Sequence, residues 1–437
     1  MKRYAYDDLL KWKNSSRRKP LILYGARQTG KTWLLNEFGK AEYKSVFYMN
    51  FDTNREFHQY FGDNIAPQNI VKSLENHFKQ KILPADSLLI FDEIQECQRA
   101  KDSLKYFNEN APQYNIAAAG SFLGIAGGKF PVGQVDEITL YPLSFYEFLE
   151  ATGHDKLAET LSKPERGAFD TAFIRNMHGF LTDRLKEYYY VGGMPEAVNT
   201  FMDTDDLNGV RVTQEAILNN YKGDFSRHIK GVDIPKVRML WDSIPFHLSR
   251  EKKKFIYKDV KTGGRASEFE NAMDWLVNTG LVYRVAKTTE SKIPLSGYMD
   301  RNAFKLYMLD VGLLSAKAAL NISAFYQSNT DVFKEFKGAI TEQYVLQELK
   351  TLGRLPVFYW GSATGKAEVD FVVQYGNDIV PIEVKSDLNK KSYSLSVYME
   401  AYNPMKAVRT SLNKFGIHEN LYSIPLYMIG SLLLVCS

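Results

Sequence analysis

An α/β multidomain protein is what this 437-residue sequence predicts, with an N-terminal parallel sheet flanked by helices, and three observations predict it. Five short apolar runs, Leu21 to Tyr24, Ser45 to Asn50, Ser87 to Phe91, Asn115 to Ala119 and Glu137 to Tyr141, alternate with helical patterns. From about Ser144 to Lys230 the periodicity is helical only. Towards the C-terminus, two strand-like runs meet at the turn signal Gly376-Asn377. The length exceeds what one hydrophobic core serves, so two to four domains are expected. Shifts in pattern place them at residues 1–143, 144–230, 231–320 and 331–437.

Met1 to Lys13 reads as an amphipathic helix, because Asp7 and Asp8 interrupt the apolar core that a secretion signal needs. The first apolar run then enters Gly25-Ala26-Arg27-Gln28-Thr29-Gly30-Lys31-Thr32, which fits G-x-x-x-x-G-K-[ST], and a helix opens at Trp33-Leu34-Leu35. A loop between a strand and a helix N-terminus turns backbone N–H groups towards one point, where the dipole also favours an anion. Gly25, Gln28, Thr29, Gly30, Lys31 and Thr32 are therefore expected to hold the phosphates of a nucleotide. Lys31 reaches the β- and γ-phosphates, and Thr32 holds Mg²⁺.

The third run ends in Leu88-Leu89-Ile90-Phe91-Asp92-Glu93, four apolar residues and then two acids at the carboxyl end of a strand, where open parallel sheets bind ligands. Asp92 is placed for the Mg²⁺ shell and Glu93 to deprotonate an attacking water. Ser121, past the fourth run, suits a γ-phosphate sensor and equally a helix cap beside Gly120. A cation for the transferred phosphoryl group comes from Arg227, Arg250 or Arg265, or from a neighbouring copy of the chain, which makes a homo-oligomer a candidate assembly.

In the second section Phe145 to Leu149 and Leu181 to Tyr190 read as helices, punctuated by Gly192-Gly193-Met194-Pro195. In the third, helices, a basic connection, the helix Ala266 to Asn278 and strand-like runs Leu281 to Val285 and Phe304 to Leu309 follow the order of a winged helix. That helix carries Glu268, Glu270 and Asp274 without lysine or arginine, so it is poorly suited to phosphates. The run Arg250-Glu251-Lys252-Lys253-Lys254, with Lys258, Lys261 and Arg265, is the better phosphate contact, or a solvated basic loop. Asn321 to Thr330 reads as a linker.

In the last section the two-residue turn sets Tyr375 opposite Asp378, which places Asp370 opposite Glu383 and Glu368 opposite Lys385 on one face. Opposed carboxylates repel unless a cation lies between them, so the pattern invites a second divalent metal held by Asp370 and Glu383, with Lys385 activating water. Glu342 lies within the apolar stripe formed by Ala339, Val345, Leu346 and Leu349, and is a third candidate ligand. The other reading is a Glu368–Lys385 ion pair on a solvated face. Pro381 weakens the ladder, so the register is open to a slip.

Together these motifs resemble those of bacterial and archaeal AAA-type ATPases that carry a C-terminal domain similar to PD-(D/E)xK nucleases. The segments that carry the resemblance are Gly25 to Thr32, Leu88 to Glu93, Tyr141 to Phe145, Gly192 to Pro195, Asp310 to Leu314, Ala367 to Phe371 and Ile382 to Ser386. The resemblance implies a P-loop NTPase core of the additional-strand, catalytic-glutamate class, a helical lid, a winged-helix-like middle and a restriction-endonuclease-like α/β domain. It places Ser121 at the polar sensor, and Glu342, Asp370, Glu383 and Lys385 at the nuclease-like positions. Where many relatives have a basic residue, this chain has Gly133-Gln134-Val135.

A net charge of +4 neither requires nor excludes a nucleic-acid partner, DNA or RNA. Two cysteines, Cys97 and Cys436, are too far apart in sequence to suggest a disulfide framework or a zinc site, and a cytoplasmic location is the simplest home. The longest apolar runs, such as Ser431 to Cys436, fall far short of the roughly 20 residues of a membrane span. Two functions are consistent with this: an ATPase switch or motor coupled to a nuclease-like domain, or an ATP-regulated assembly protein whose C-terminal domain docks without cutting.

Overall fold

A computed structural model describes residues 1–62, 64–121, 133–163, 168–229, 233–323, 331–353, 355–386 and 392–436. The chain divides into two compact units, Lys2–Tyr141 with Asn278–Gly280, and Pro142–Val277 with Leu281–Ser437 and Met1.

In the first unit, β1 (Leu21–Gly25), β2 (Ser45–Asn50), β3 (Ser87–Asp92), β4 (Asn115–Ser121) and β5 (Asp136–Thr139) form a parallel sheet in the order β2-β3-β4-β1-β5. The five apolar runs thus become five strands. β1 and β3 are buried along their whole length because both faces of the sheet are covered. Ile22, Phe47, Met49, Leu89, Phe91 and Ile116 pack into one core, and Leu21, Leu23, Leu88, Ile90, Ala117 and Ala119 into a second that also takes Leu9 and Trp12 of the N-terminal helix Ala5–Asn14. Placing β4 between β1 and β3 brings the carboxyl ends of three strands together, with Gly25 registered on Ser121.

The second unit holds an eight-stranded sheet made of β6 (Val282–Thr288), β7 (Met299–Met308), β8 (Val357–Gly361), β9 (Glu368–Tyr375), β10 (Asp378–Val384), β11 (Ala407–Ser411), β12 (Gly416–His418) and β13 (Leu421–Pro425), ordered β12-β13-β11-β10-β9-β8-β6-β7. β6 and β7 form the antiparallel pair read from the sequence, and the helix Ala266–Asn278 precedes them as expected. They also belong to a larger sheet. β6 pairs in parallel with β8 through Lys287–Tyr359 and Thr288–Trp360, so the sheet crosses the boundary expected between residues 320 and 331. A free strand edge exposes unpaired N–H and C=O groups, and this pairing covers one. Residues 324–330 of the expected linker lie outside the described residues.

The β9–β10 hairpin has the expected register, Tyr375 opposite Asp378, and Gly376 takes the positive φ of +60° that its turn needs. Pro381 pairs with Val372 without a slip. The ladder ends at Ile382–Phe371, one residue before Glu383 and Asp370.

Three of the sequence segments noted above meet in the core of this unit. Asp310 accepts hydrogen bonds from Gly193 N (2.6 Å) and Leu313 N (2.9 Å), Leu143 N donates to Gly193 O (2.7 Å), and the Tyr188 hydroxyl donates to Leu143 O. A Cβ at Gly193 would lie 2.1 Å from Leu143 O, so the two backbones touch where no side chain fits. Along the helix Asp331–Thr351, Gln343 bonds both backbone groups of Met308, Gln347 accepts from Val311 N (2.8 Å), and Glu348 accepts from Phe145 N (2.9 Å).

Burial pushes the Glu348 carboxyl up to about 8 and that of Asp310 to about 6. A carboxyl raised in the fold favours folding fully below its ordinary value of 4.5 and loses that contribution as pH rises through about 8. Glu348→Gln keeps a neutral side chain of the same shape and removes this dependence. Unfolding free energy measured by urea from pH 5 to 9 is expected to fall more steeply for wild type than for E348Q, the gap growing by about 1.4 kcal/mol per pH unit towards pH 8.

Candidate nucleotide site and a buried charge cluster

The loop after β1 is shaped by two glycines with separate physical tasks. A Cβ at Gly25 would lie 2.4 Å from Leu140 O, and Gly30 has φ +92° at the start of the helix Lys31–Glu42. Gln28 also has positive φ, and the Thr29 hydroxyl closes the loop on Ala26 O at 2.9 Å. Arg3, ahead of the first helix, donates to Thr29 O (2.9 Å) and Tyr141 O (2.6 Å), tying the loop to the end of the sheet.

Lys31 is buried and donates to Gly25 O (3.0 Å) and Ala26 O (2.8 Å). Burial pulls its ammonium down to about 8 against the opposing pull of Glu93 and Asp92. Thr32 Oγ1 donates to Asp92 Oδ2 at 2.9 Å, and that oxygen also receives the Tyr48 hydroxyl (2.7 Å) and Asn50 Nδ2 (3.3 Å). The hydroxyl and carboxylate are hard oxygen donors held together, so Thr32 and Asp92 fit Mg²⁺. Glu93 follows at φ +49°, in the left-handed region, and its carboxylate takes a hydrogen bond from Gln95 Nε2. Ser121 is placed only by its backbone, beside Gly25. Its side chain, like that of Arg227, lies outside the described residues.

Gly25, Gln28, Thr29, Gly30, Lys31, Thr32, Asp92 and Glu93 thus share one strand-end region of one unit. Sequence reasoning missed Arg3, Tyr48, Asn50 and Gln95. Tyr48 and Asn50 alternate with buried Phe47 and Met49 on β2, so they point together, a signal that the strand pattern did carry.

In the second unit Glu342, Asp370, Glu383 and Lys385 come together, but the cations expected between them are lysines. Lys253 pairs with Glu342 Oε1, the Tyr307 hydroxyl donates to Glu342 Oε2 (3.1 Å), and Lys305 lies 2.7 Å from Glu368 and 3.9 Å from Glu342. Lys385 bonds Glu383 at 2.6 Å, not Glu368, so the expected Glu368–Lys385 pair is replaced by Glu368–Lys305. Asp370 Oδ2 accepts from Val384 N at 2.8 Å. Burial, then Glu342 and Glu383, push the Asp370 carboxyl well above the carboxylate range. Although burial opposes it, Tyr307 and the surrounding acids raise the Lys305 ammonium well above its ordinary value.

Among the described residues no group of three His, Cys, Asp or Glu side chains is arranged to hold a metal ion. The second divalent metal expected on Glu342, Asp370 and Glu383 is not shown by this arrangement, in which lysines lie on Glu342, Glu368 and Glu383. Lys253 and Lys305 lie 89 and 37 residues from Glu342 in the sequence and are seen only once the chain is folded. Three cations of the basic run are also paired within the chain: Lys253 on Glu342, Arg250 on Asp259 and Lys261 on Glu268.

Residues 17–149 match the model of a family described as an AAA domain. The N-terminal unit is an AAA-type P-loop domain. Residues 182–325 match a domain of unknown function (DUF8612), and residues 337–429 another (DUF4143). The uncharacterized protein MJ1637 of Methanocaldococcus jannaschii is 23% identical over 210 residues, 45% of this chain and 43% of its own length. The chain thus spans less than half of that curated relative. The Walker-type ATPase PABY2304 of Pyrococcus abyssi is similar over 72% of this chain and 95% of its own, at 14% identity and a TM-score of 0.44. The Aeropyrum pernix ORC1 protein, solved in complex with DNA, is similar over 72% and 90%, at 11% identity and a TM-score of 0.29. Among the described residues no helix is long and apolar enough to cross a membrane.

Two outcomes follow from the electrostatics. Phosphates favour the charged Lys31, so ATP binding above pH 8 takes up a proton, and affinity is expected to fall up to tenfold per pH unit beyond that point. Calorimetry in buffers of different ionisation enthalpy measures both effects, and Lys31→Ala should bind weakly at every pH. Lys253→Met leaves Glu342 buried without its nearest cation, and urea unfolding is expected to show a loss of about 3 kcal/mol. Adding Glu342→Gln should recover most of it.

Proposed function

We propose that the chain is a Mg²⁺-dependent ATPase switch whose C-terminal region binds a partner without cutting it. The observation that carries the ATPase reading is the Thr32–Asp92 contact of 2.9 Å beside Lys31, with Glu93 next in sequence. The loop N–H groups and the Lys31 ammonium bind the β- and γ-phosphates, Lys31 exchanging the carbonyls of Gly25 and Ala26 for phosphate oxygens. Thr32 and Asp92 would hold Mg²⁺, which would offset the charge of those oxygens. Glu93 orients a water and takes its proton as the water oxygen bonds to the γ-phosphorus and the β–γ bridging bond breaks.

The docking reading of the C-terminal region is supported by the ammonium groups of Lys253, Lys305 and Lys385 on its acids. The nuclease-like reading has its own support in the order helix Asp331–Thr351, β8, β9, β10, helix Tyr393–Tyr402, β11, which gathers Glu342, Asp370, Glu383 and Lys385. DNA, RNA and a second copy of the chain are the candidate partners.

ATP turnover of wild type and Glu93→Gln tests the first reading: E93Q is expected to keep nucleotide affinity and lose turnover by about 100-fold or more, and an equal rate contradicts the role of Glu93. Incubation of wild type and Asp370→Ala with single- and double-stranded DNA and RNA in Mg²⁺ or Mn²⁺ separates the other two. No cutting by either protein is expected, and cutting that D370A abolishes establishes the nuclease reading instead.

A further inference from the structure

We infer that Gln95 is a positioning residue for ATP hydrolysis, holding the Glu93 carboxylate in place through its side-chain amide. This rests on the ATPase reading above and adds a residue to it. Glu93 sits at φ +49° at the end of β3, and Ile94–Glu96 follow as a single tight 3₁₀ turn. The turn buries Ile94 in the core of the sheet and leaves Glu93 and Gln95 half-buried, close enough for Gln95 Nε2 to donate to Glu93 Oε2. Only the NH₂ end of the amide can meet a carboxylate favourably, so the orientation of Gln95 follows from its neighbour.

The other end of the amide lies beside the neighbouring strand, at Gly120. A Cβ on Gly120 would lie 2.9 Å from Gln95 Oε1, so the amide occupies space that any other residue at position 120 would claim. Gln95 Oε1 is buried and has no hydrogen-bond partner among the described residues. A polar atom in that condition costs free energy, which the pairing of the NH₂ group with a charged acceptor offsets. Gln95 thus lies between Glu93 at the end of β3 and Gly120 at the end of β4. A general base must be held at the angle from which it reaches water, and a freely rotating glutamate side chain spends little time there. The bond from Gln95 leaves the second oxygen, Oε1, as the acceptor for the water proton.

The test compares wild type, Gln95→Met and Gly120→Ala, each also combined with Glu93→Gln. Q95M keeps the volume and removes the donor, and G120A displaces the amide from the opposite side. Both are expected to lower kcat about tenfold or more, with KM for ATP and nucleotide Kd within about twofold of wild type. In the E93Q background neither should cause further loss, because both act through Glu93. Wild-type kcat in Q95M, a loss that adds to that of E93Q, or a matching loss of nucleotide affinity overturns the inference. A wild type that does not turn over ATP overturns the ATPase reading and this inference with it. A wild type that does, beside an unaffected Q95M, overturns this inference alone. If G120A melts at a lower temperature, Q95M alone decides.

Discussion

A carboxylate taken out of water must be met by something, and the way this chain meets its buried acids organises both units. In the AAA-type unit Asp92 is almost fully buried, and its Oδ2 gathers a threonine, a tyrosine and an asparagine side chain. In the other unit Asp310 is met by backbone amides, Glu348 by one amide and a raised proton affinity, and Glu342 by ammonium groups. Unpaired, each would cost several kcal/mol; paired, each fixes the position of its partners.

The consequence differs between the two units. Around Asp92 the hydrogen-bond partners are neutral, and the pushed-up Tyr48 phenol, at about 12 through burial and its bond to Asp92, stays a donor. Around Glu342 the compensating charges are lysines of the same chain, drawn from the connection after the helix Ile234–Ser249 and from β7. The two clusters of acids are therefore met differently, one by neutral hydrogen-bond donors and the other by lysines.

The segments Leu143 to Phe145, Gly192 to Gly193 and Asp310 to Leu313 have a structural role that their glycines make necessary. Asp310, Gln343, Gln347 and Glu348 supply side-chain partners to backbone groups that no strand or helix satisfies. Buried backbone of this kind tolerates little change, since an added Cβ at Gly193 meets Leu143 O at 2.1 Å. The helix Asp331–Thr351 carries both Glu342 and the residues Gln343, Gln347 and Glu348 that bond this backbone, so the charge cluster is anchored to that scaffold.

What depends on neighbours in sequence was legible from sequence. The five strands of the AAA-type unit, the loop from Gly25 to Thr32, the acids Asp92 and Glu93 and the register of the β9–β10 hairpin all follow from local pattern: apolar runs, glycine spacing and a two-residue turn. Even the burial of Glu342 was readable, because a helix displays its faces at a fixed period. The tertiary structure alone decided that β6 and β7 join the C-terminal sheet, that Tyr48, Asn50 and Gln95 close around Asp92 and Glu93, and that Lys253 and Lys305 come to lie beside Glu342. The physical reason is the same in each case. Periodicity and turns describe what a residue does to the chain beside it, whereas strand-edge pairing and charge compensation depend on which distant residues the fold brings within a few ångströms.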